Sequence, residues 1–551
     1  MSTKTTGTTG TAGAMGIEAT DATGVGASLA GAVGRLPRVS TWKMIAISVF
    51  WFAINFHWGA ITTLLIPGQT AALLLREAPG ATLAAQVAWA NDHKGLSLAI
   101  VTAPGLIVAL IANPFFGLLS DRTRGRFGRR RPYILFGTLL NLVGLALMAI
   151  GPLLFVQGHS GNALAPSLIC LMLGLMLTQL ANNAAAAPFH ALLPDITPPE
   201  QRGTASGVMG LCFMFGTISG ALVGIVFNFD FTRLFNGTQS FGDYWFNIEL
   251  GYGAVAAVML VMALFTVFTV RERSWQPDPL SAEQRAASIR FWRNLALTVT
   301  ATVAVAAIGL FTLQTGLIGF RLDTNTLSVL QLVAVLVAGI GAAWAFEFRP
   351  RRNPDFSWVV LTRMLVMMGI YIVQLFLFYY MHDVAHAPNA TAATSLFLII
   401  LTLTATLSTF FAGFGSDRIG RKRMVYVSGA FMAVVGAMFV AAPYLVPGNI
   451  LTLAYVAAAI FGLGFGAYIA VDWALVADTL PSNATFARDM GIWNIAQTLP
   501  QVFALVLGGW LLALGIAVGN PGLGYTFLFV SFVVFCVAGT VTVRYIRGVA
   551  R

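Results

Sequence analysis

Long apolar stretches separated by short polar breaks recur about fourteen times along this chain. A helix that crosses a bilayer core needs about 20 apolar residues, so each stretch predicts one spanning helix. In order they cover about 43–67, 95–119, 132–155, 166–193, 204–228 and 248–270, then about 294–319 and 326–347. The rest lie at about 358–381, 394–416, 424–446, 450–479, 490–516 and 523–546. The predicted architecture is an all-α membrane protein, with two six-helix halves and an inserted two-helix hairpin. It divides the chain into an arm (1–42), a first six-helix half (43–270), a linker (271–293), the hairpin (294–348) and a second half (349–551).

The polar breaks repeat. Gly117-Leu-Leu-Ser-Asp-Arg122, running on to Phe127-Gly-Arg-Arg-Arg131, is matched by Gly413-Phe-Gly-Ser-Asp-Arg418, running on to Ile419-Gly-Arg-Lys-Arg423. A second echo joins His190-Ala-Leu-Leu-Pro-Asp195 to Trp473-Ala-Leu-Val-Ala-Asp478, each followed across a loop by an arginine, Arg202 or Arg488. Two copies of one membrane unit about a shared cavity is the simplest reading. The hairpin carries no acidic residue or histidine in its apolar parts, so it is expected to be peripheral to any pathway.

Composition agrees. Hydrophobic residues make up 57% of the 551, and mean hydropathy is +0.80, more apolar surface than a soluble core can hide. The net charge of +11 would suggest nucleic acid in a soluble protein, but its placement says otherwise. With a cytoplasmic N-terminus, 28 of the 32 Lys and Arg residues fall in inner segments. Arg76, Lys94, Arg233 and Arg321 remain outside. The positive-inside rule then puts both termini in the cytoplasm. The chain is expected in the cytoplasmic (inner) cell membrane, with the bilayer as its partner and no role for nucleic acid.

The three cysteines, Cys170, Cys212 and Cys536, sit in apolar runs without ligand spacing and read as core residues. No metal site and no cofactor is expected. The Thr-, Gly- and Ala-rich arm lacks an apolar core flanked by positive charge. It is expected to be disordered rather than a cleaved signal peptide, with Met15 as an alternative start.

The run from Gly117 to Pro132 closely resembles the loop between helices 2 and 3 of the sucrose/proton symporters of the major facilitator superfamily. Ile54-Asn-Phe-His-Trp58 with Leu64-Leu-Ile-Pro67 is similar to that family's first helix, and Asn182-Asn183 with Pro188 and Ala191-Leu-Leu193 to its fourth. Pro194-Asp195 with Arg202-Gly203 also resembles the glycoside–pentoside–hexuronide cation symporters. The resemblance implies the superfamily's fold and a monomeric secondary transporter, importing a neutral sucrose- or maltose-like disaccharide with a proton or another cation. It further implies that Asp121 and Asp417 help latch a cytoplasmic gate, with Arg122, Gly128, Arg129, Arg418, Gly420 and Arg421 beside them. Asp195 and Asp478 are the matching candidates after helices 4 and 10. Basic inner loops can also serve topology alone. The hairpin departs from the family's twelve-helix plan.

Asp472 is the one carboxylate well inside an apolar run, where insertion costs about 2.5–3.5 kcal/mol. Proton coupling and a structural partnership with an arginine are both open to it. His57 and His190 are candidate proton relays, because imidazole titrates near neutrality. The family's Asp and Arg in helix 4 are replaced here by Gln179 and His190, so its charged pair is absent.

For the lining of the cavity, Asn55, His57, Trp58, Gln179, Asn182, Asn183, Tyr371, Gln374, Tyr468, Trp493, Asn494 and Gln497 are the candidates. Amides pair with hydroxyls and aromatic rings cover sugar C–H faces, although amides also bridge helices. Gln497-Thr-Leu-Pro500 is expected to break its helix near the site.

A fourteen-helix drug or metabolite exporter is the alternative. Against it, Thr204–Gly224 lacks the Gly-Pro pair of antiporters of the superfamily. A membrane enzyme or sensor finds no nucleotide loop, metal cluster or soluble module to support it.

Overall fold

The computed structural model describes residues 38–123, 125, 127–158, 164–197, 201–228, 230–272, 282–315, 324–345, 348–479 and 486–547. The expected N-terminal arm lies outside them up to residue 37. All regular structure among these residues is helical. The first half holds α1 (Thr41–Ala60), α2 (Ile66–Glu77), α3 (Leu83–Arg122), α4 (Arg131–Gly158), α5 (Leu164–Ile196) and α6 (Arg202–Val226). A short α7 (Phe231–Phe235) and α8 (Phe241–Thr269) complete it. Then come α9 (Ala282–Thr315) and α10 (Thr324–Ala345). The second half holds α11 (Pro354–Asp383), α12 (Ala390–Ile419), α13 (Arg421–Leu445), α14 (Ile450–Thr479), α15 (Phe486–Ala517) and α16 (Pro521–Thr542).

Local chemistry sets several helix starts. Ser40, Thr82, Ser240 and Asn520 stand before α1, α3, α8 and α16, and each side-chain oxygen accepts a hydrogen bond from an N–H of the first turn. α1 and α2 are one rod, 41–77, interrupted by a π turn at Ile61–Leu65. Pro67 explains that turn. Its ring would strike the carbonyl one helical turn back, and one extra residue opens the helix there. The expected break at Pro500 does not occur, since α15 runs unbroken through it. In a membrane bundle, neighbouring side chains satisfy the carbonyl that a proline frees, so the helix need not open.

The halves repeat each other in three dimensions. α1 packs on α6 and α8, α5 on α3 and α4, and α4 on α8. In the second half α11 packs on α15 and α16, α14 on α12 and α13, and α13 on α16. Two seams join the halves, α3 with α15 and α6 with α12, and they too exchange under the two-fold relation. The sequence echoes therefore correspond to a structural repeat.

Twelve helices among the described residues are long and apolar enough to cross a membrane, against about fourteen stretches in the sequence. The difference is the inserted pair, of which only Leu336–Ala345 qualifies, as a shorter apolar helix. α9 starts at Ala282, within the segment read as linker, because Ala, Glu, Gln and Arg extend a helix beyond its apolar part. α10 lies against α3 and α15, outside one seam, and crosses α9 where Gly341 meets Thr298.

Candidate functional site

Three turns into α11, Arg363 is buried among polar partners. Its guanidinium forms an ion pair with Asp472 of α14, and both side chains are only 2% exposed. Its second amino group donates to Gln497 Oε1 of α15 at 2.6 Å. The guanidinium carbon also lies 3.5 Å from the centre of the Trp493 ring, a cation–π contact. Tyr468, one turn before Asp472, donates its hydroxyl to Asp472 Oδ1 at 3.2 Å. Spacing explains the cluster: Tyr468 and Asp472, like Trp493 and Gln497, are four apart and share a helix face. A buried ion pair needs hydrogen bonds to its remaining atoms; Tyr468 of α14 and Gln497 of α15 supply two, and Arg363 Nε has no partner among the described residues.

Arg363 escaped the sequence reading, which assigned it to a basic inner loop. Its place inside the apolar run about 358–381 was the available signal. Tyr371, two turns on, is half-buried and faces Gln497 and Gln501. Gln374 is half-buried on the same helix, and the side chain of Asn494 lies outside the described residues.

The first half presents amides. Asn113 Nδ2 of α3 donates to Asn183 Oδ1 of α5 at 3.1 Å, and Asn183 Nδ2 donates to the Gln179 carbonyl at 2.8 Å. Gln179 and Asn182 are buried. Asn55 turns its amide back to the Trp51 carbonyl at 2.7 Å. Trp58 is half-buried, edge-on to His57.

The two histidines part company. His57 is fully buried, with Nε2 3.3 Å from Asn141 Nδ2 of α4, so its ring faces the interior of the half. His190 is exposed, with its ring edge against Trp51 at 4.7 Å between centres. Asn113 and Asn141 were missed by sequence reasoning, although each is a lone amide inside an apolar helix.

At the basic loops, Gly128 and Gly420 both adopt positive φ, +91° and +98°, the first three residues before α4 and the second directly before α13. Glu272, three residues beyond α8, fills the cradle beside Gly128. Its carboxylate accepts from the backbone N–H groups of Arg129 at 2.7 Å, Arg130 at 3.0 Å and Arg131 at 2.7 Å. Negative charge at a helix N-terminus is stabilising there. Sequence reasoning gave that kind of role to Asp121 and Asp417 and missed Glu272. Arg131 Nε also donates to the Val267 carbonyl at 2.5 Å. Arg421 opens α13 and is half-buried. The side chains of Asp121, Arg122, Asp195, Asp417, Arg418 and Asp478 lie outside the described residues.

The fold and these polar clusters can now be set beside known proteins. The family model of the Major Facilitator Superfamily matches residues 44–384 and 359–549, almost the whole chain. The protein belongs to the Major Facilitator Superfamily. Over 130 residues it is 33% identical to a sucrose transport protein of Arabidopsis thaliana, covering 22% of each chain. It is 24% identical over 205 residues to the general alpha-glucoside permease of Schizosaccharomyces pombe, covering 37% of this chain and 35% of the permease. These matches span about a fifth to a third of those relatives' lengths. Among solved structures, a D-xylose–proton symporter superposes with a TM-score of 0.59 at 17% identity, covering 92% of this chain and 99% of the other. A POT family peptide transporter in complex with sulfate gives 0.60 at 14% identity, covering 93% and 98%. Such low identities speak for the superfamily fold alone. All four of these proteins are transporters or permeases, not enzymes.

Proposed function

We propose that this protein is a secondary transporter that imports a neutral glycoside, a disaccharide of the sucrose or maltose type, together with a proton. The observation that carries this reading is the Arg363–Asp472 pair. The two charges cancel inside the bundle, so amides and aromatic rings are left to meet the substrate. A neutral polyol fits that chemistry, and an ionic substrate would need an opposite charge of its own. The similarity to a sucrose transport protein and to an alpha-glucoside permease supports the same class.

Coupling follows from the same pair. A proton taken up by the Asp472 carboxylate removes its charge, breaks the ion pair and frees the Arg363 guanidinium, still held by Gln497, for substrate hydroxyls. Release of the proton restores the pair. Exposed His190 serves as a relay beside Trp51, and buried His57 packs against Asn141. Asn55, Trp58, Gln179, Asn182, Asn183, Tyr371, Gln374, Tyr468, Asn494 and Gln497 supply the lining. The halves alternate access, and the basic loops carrying Asp121, Arg122, Gly128, Arg129, Asp417, Arg418, Gly420 and Arg421, with Asp195 and Asp478, form the cytoplasmic gate. Both termini lie on the cytoplasmic side of the inner membrane, and the unit is a monomer.

Proteoliposomes tested with labelled sucrose and maltose, with and without an inward proton gradient, check the proposal. Accumulation of one sugar only when the gradient is present is the expected result. If neither sugar moves under any gradient, the glycoside reading fails. Gradient-driven efflux without uptake would favour an exporter.

A further inference from the structure

The basic loops lie at one end of the bundle, and among the described residues several polar contacts between the halves lie at the other. α3 runs toward its basic loop and α11 runs away from its own, so Lys94 and Asp383 meet at the opposite end. Lys94 Nζ forms an ion pair with Asp383 Oδ1 at 2.6 Å, with 2% and 21% of the two side chains exposed. Lys94 also donates to Asn91 Oδ1 at 2.8 Å and stands 4.8 Å from the centre of the Tyr379 ring. On its far side Asp383 accepts from the Tyr525 hydroxyl of α16, and it lies 2.7 Å from His382 Nδ1. The carboxylate thus holds partners from both halves.

Weaker contacts across the halves gather round the pair. The Tyr379 hydroxyl donates to the Pro67 carbonyl at 3.2 Å, and Ala390 N–H donates to Thr232 Oγ1 at 3.1 Å. His382 sets its ring against Phe231 and Phe235. Gly509 of α15 allows the Gly95 carbonyl within ordinary contact distance of its Cβ position, so the seam is tight just beyond Lys94. None of these residues touches the Arg363–Asp472 cluster.

We propose that Lys94 and Asp383 are the latch that holds this end of the protein closed, with Tyr525 positioning the carboxylate, and that the pair parts each time this end opens. A nearly buried lysine and its ion-pair partner on the other half attract strongly while water is kept out, and once this end opens water solvates both charges and screens them. That makes the contact strong when shut and absent when open, which a two-state gate requires. The proposal rests on alternating access but not on which substrate is carried. Failure of sugar uptake would leave it standing.

Hydrogen exchange of the whole protein in lipid nanodiscs tests it, because backbone opening is read separately at each end. Lys94→Gln and Asp383→Asn are expected to raise exchange about five-fold or more in residues 83–95, 230–240 and 384–390, and to lower it at the basic end, in 349–356. Tyr525→Phe is expected to move both ends in the same directions by less. Exchange that does not change at the opposite end in either charge variant overturns the latch. So does exchange that rises at both ends, since that reports general loosening rather than a shift between two states. Should Lys94→Gln fail to fold, Asp383→Asn carries the same readout with its side-chain shape retained.

Discussion

Replacing Arg363 with alanine is expected to cost about 3–5 kcal/mol of stability, because it leaves the Asp472 carboxylate buried and unpaired. Thermal unfolding of the purified protein in one detergent, followed by tryptophan fluorescence, measures the loss. Asp472→Asn is expected to cost a similar amount, since it strands the guanidinium against Gln497 and Trp493. The double variant Arg363→Gln/Asp472→Asn removes both charges together. It is expected to recover most of that stability while uptake no longer responds to a proton gradient. The combination separates a structural pair from a coupling pair. A double variant that is stable and still accumulates sugar only under a gradient would remove Asp472 from coupling. Single variants as stable as the parent would contradict the buried pair itself.

The second large effect is expected at Gly128. A Cβ there would stand 2.6 Å from the Glu272 carboxyl carbon, and the backbone φ of +91° already disfavours any side chain. Gly128→Ala is expected to destabilise by about 2–3 kcal/mol: about 1–2 for a left-handed L-residue and about 1 for displacing the carboxylate that caps α4. Gly125→Ala, three residues earlier, is the control. Its Cβ meets nothing nearer than the Gly128 carbonyl at 3.6 Å, and a cost within about 0.5 kcal/mol is expected. The two parts can be separated. In a Glu272→Ala background, Gly128→Ala should retain only its backbone cost, so the variants should be non-additive by about 1 kcal/mol in unfolding experiments.

These contrasts mark what was legible in the chain. Apolar runs about 20 residues long located the twelve spanning helices, because a bilayer demands that length whatever the neighbours do. The doubled Ser-Asp-Arg loops announced the two-fold repeat, which the helix pairings of the halves then bore out. The limits were equally physical. Hydropathy counts Arg363 and Lys94 as charge near the end of a run and so sends both to loops, whereas each is buried by a carboxylate on a distant helix. Nothing local reports a partner 109 or 289 residues away. The same blindness hid Glu272, which comes to Gly128 only when α8 returns beside α4.

The sequence by itself determined the solvent, the order of the main helices and the repeat. Each depends on local composition or on spacing along one chain. Tertiary structure alone decided how the charges are paired: Asp472 with Arg363, Asp383 with Lys94, Glu272 with the start of α4. It also turned His57 inward and left His190 exposed. In a low-dielectric interior a charge is tolerable only beside its complement. Which complement that is depends on how helices far apart in the chain are packed together.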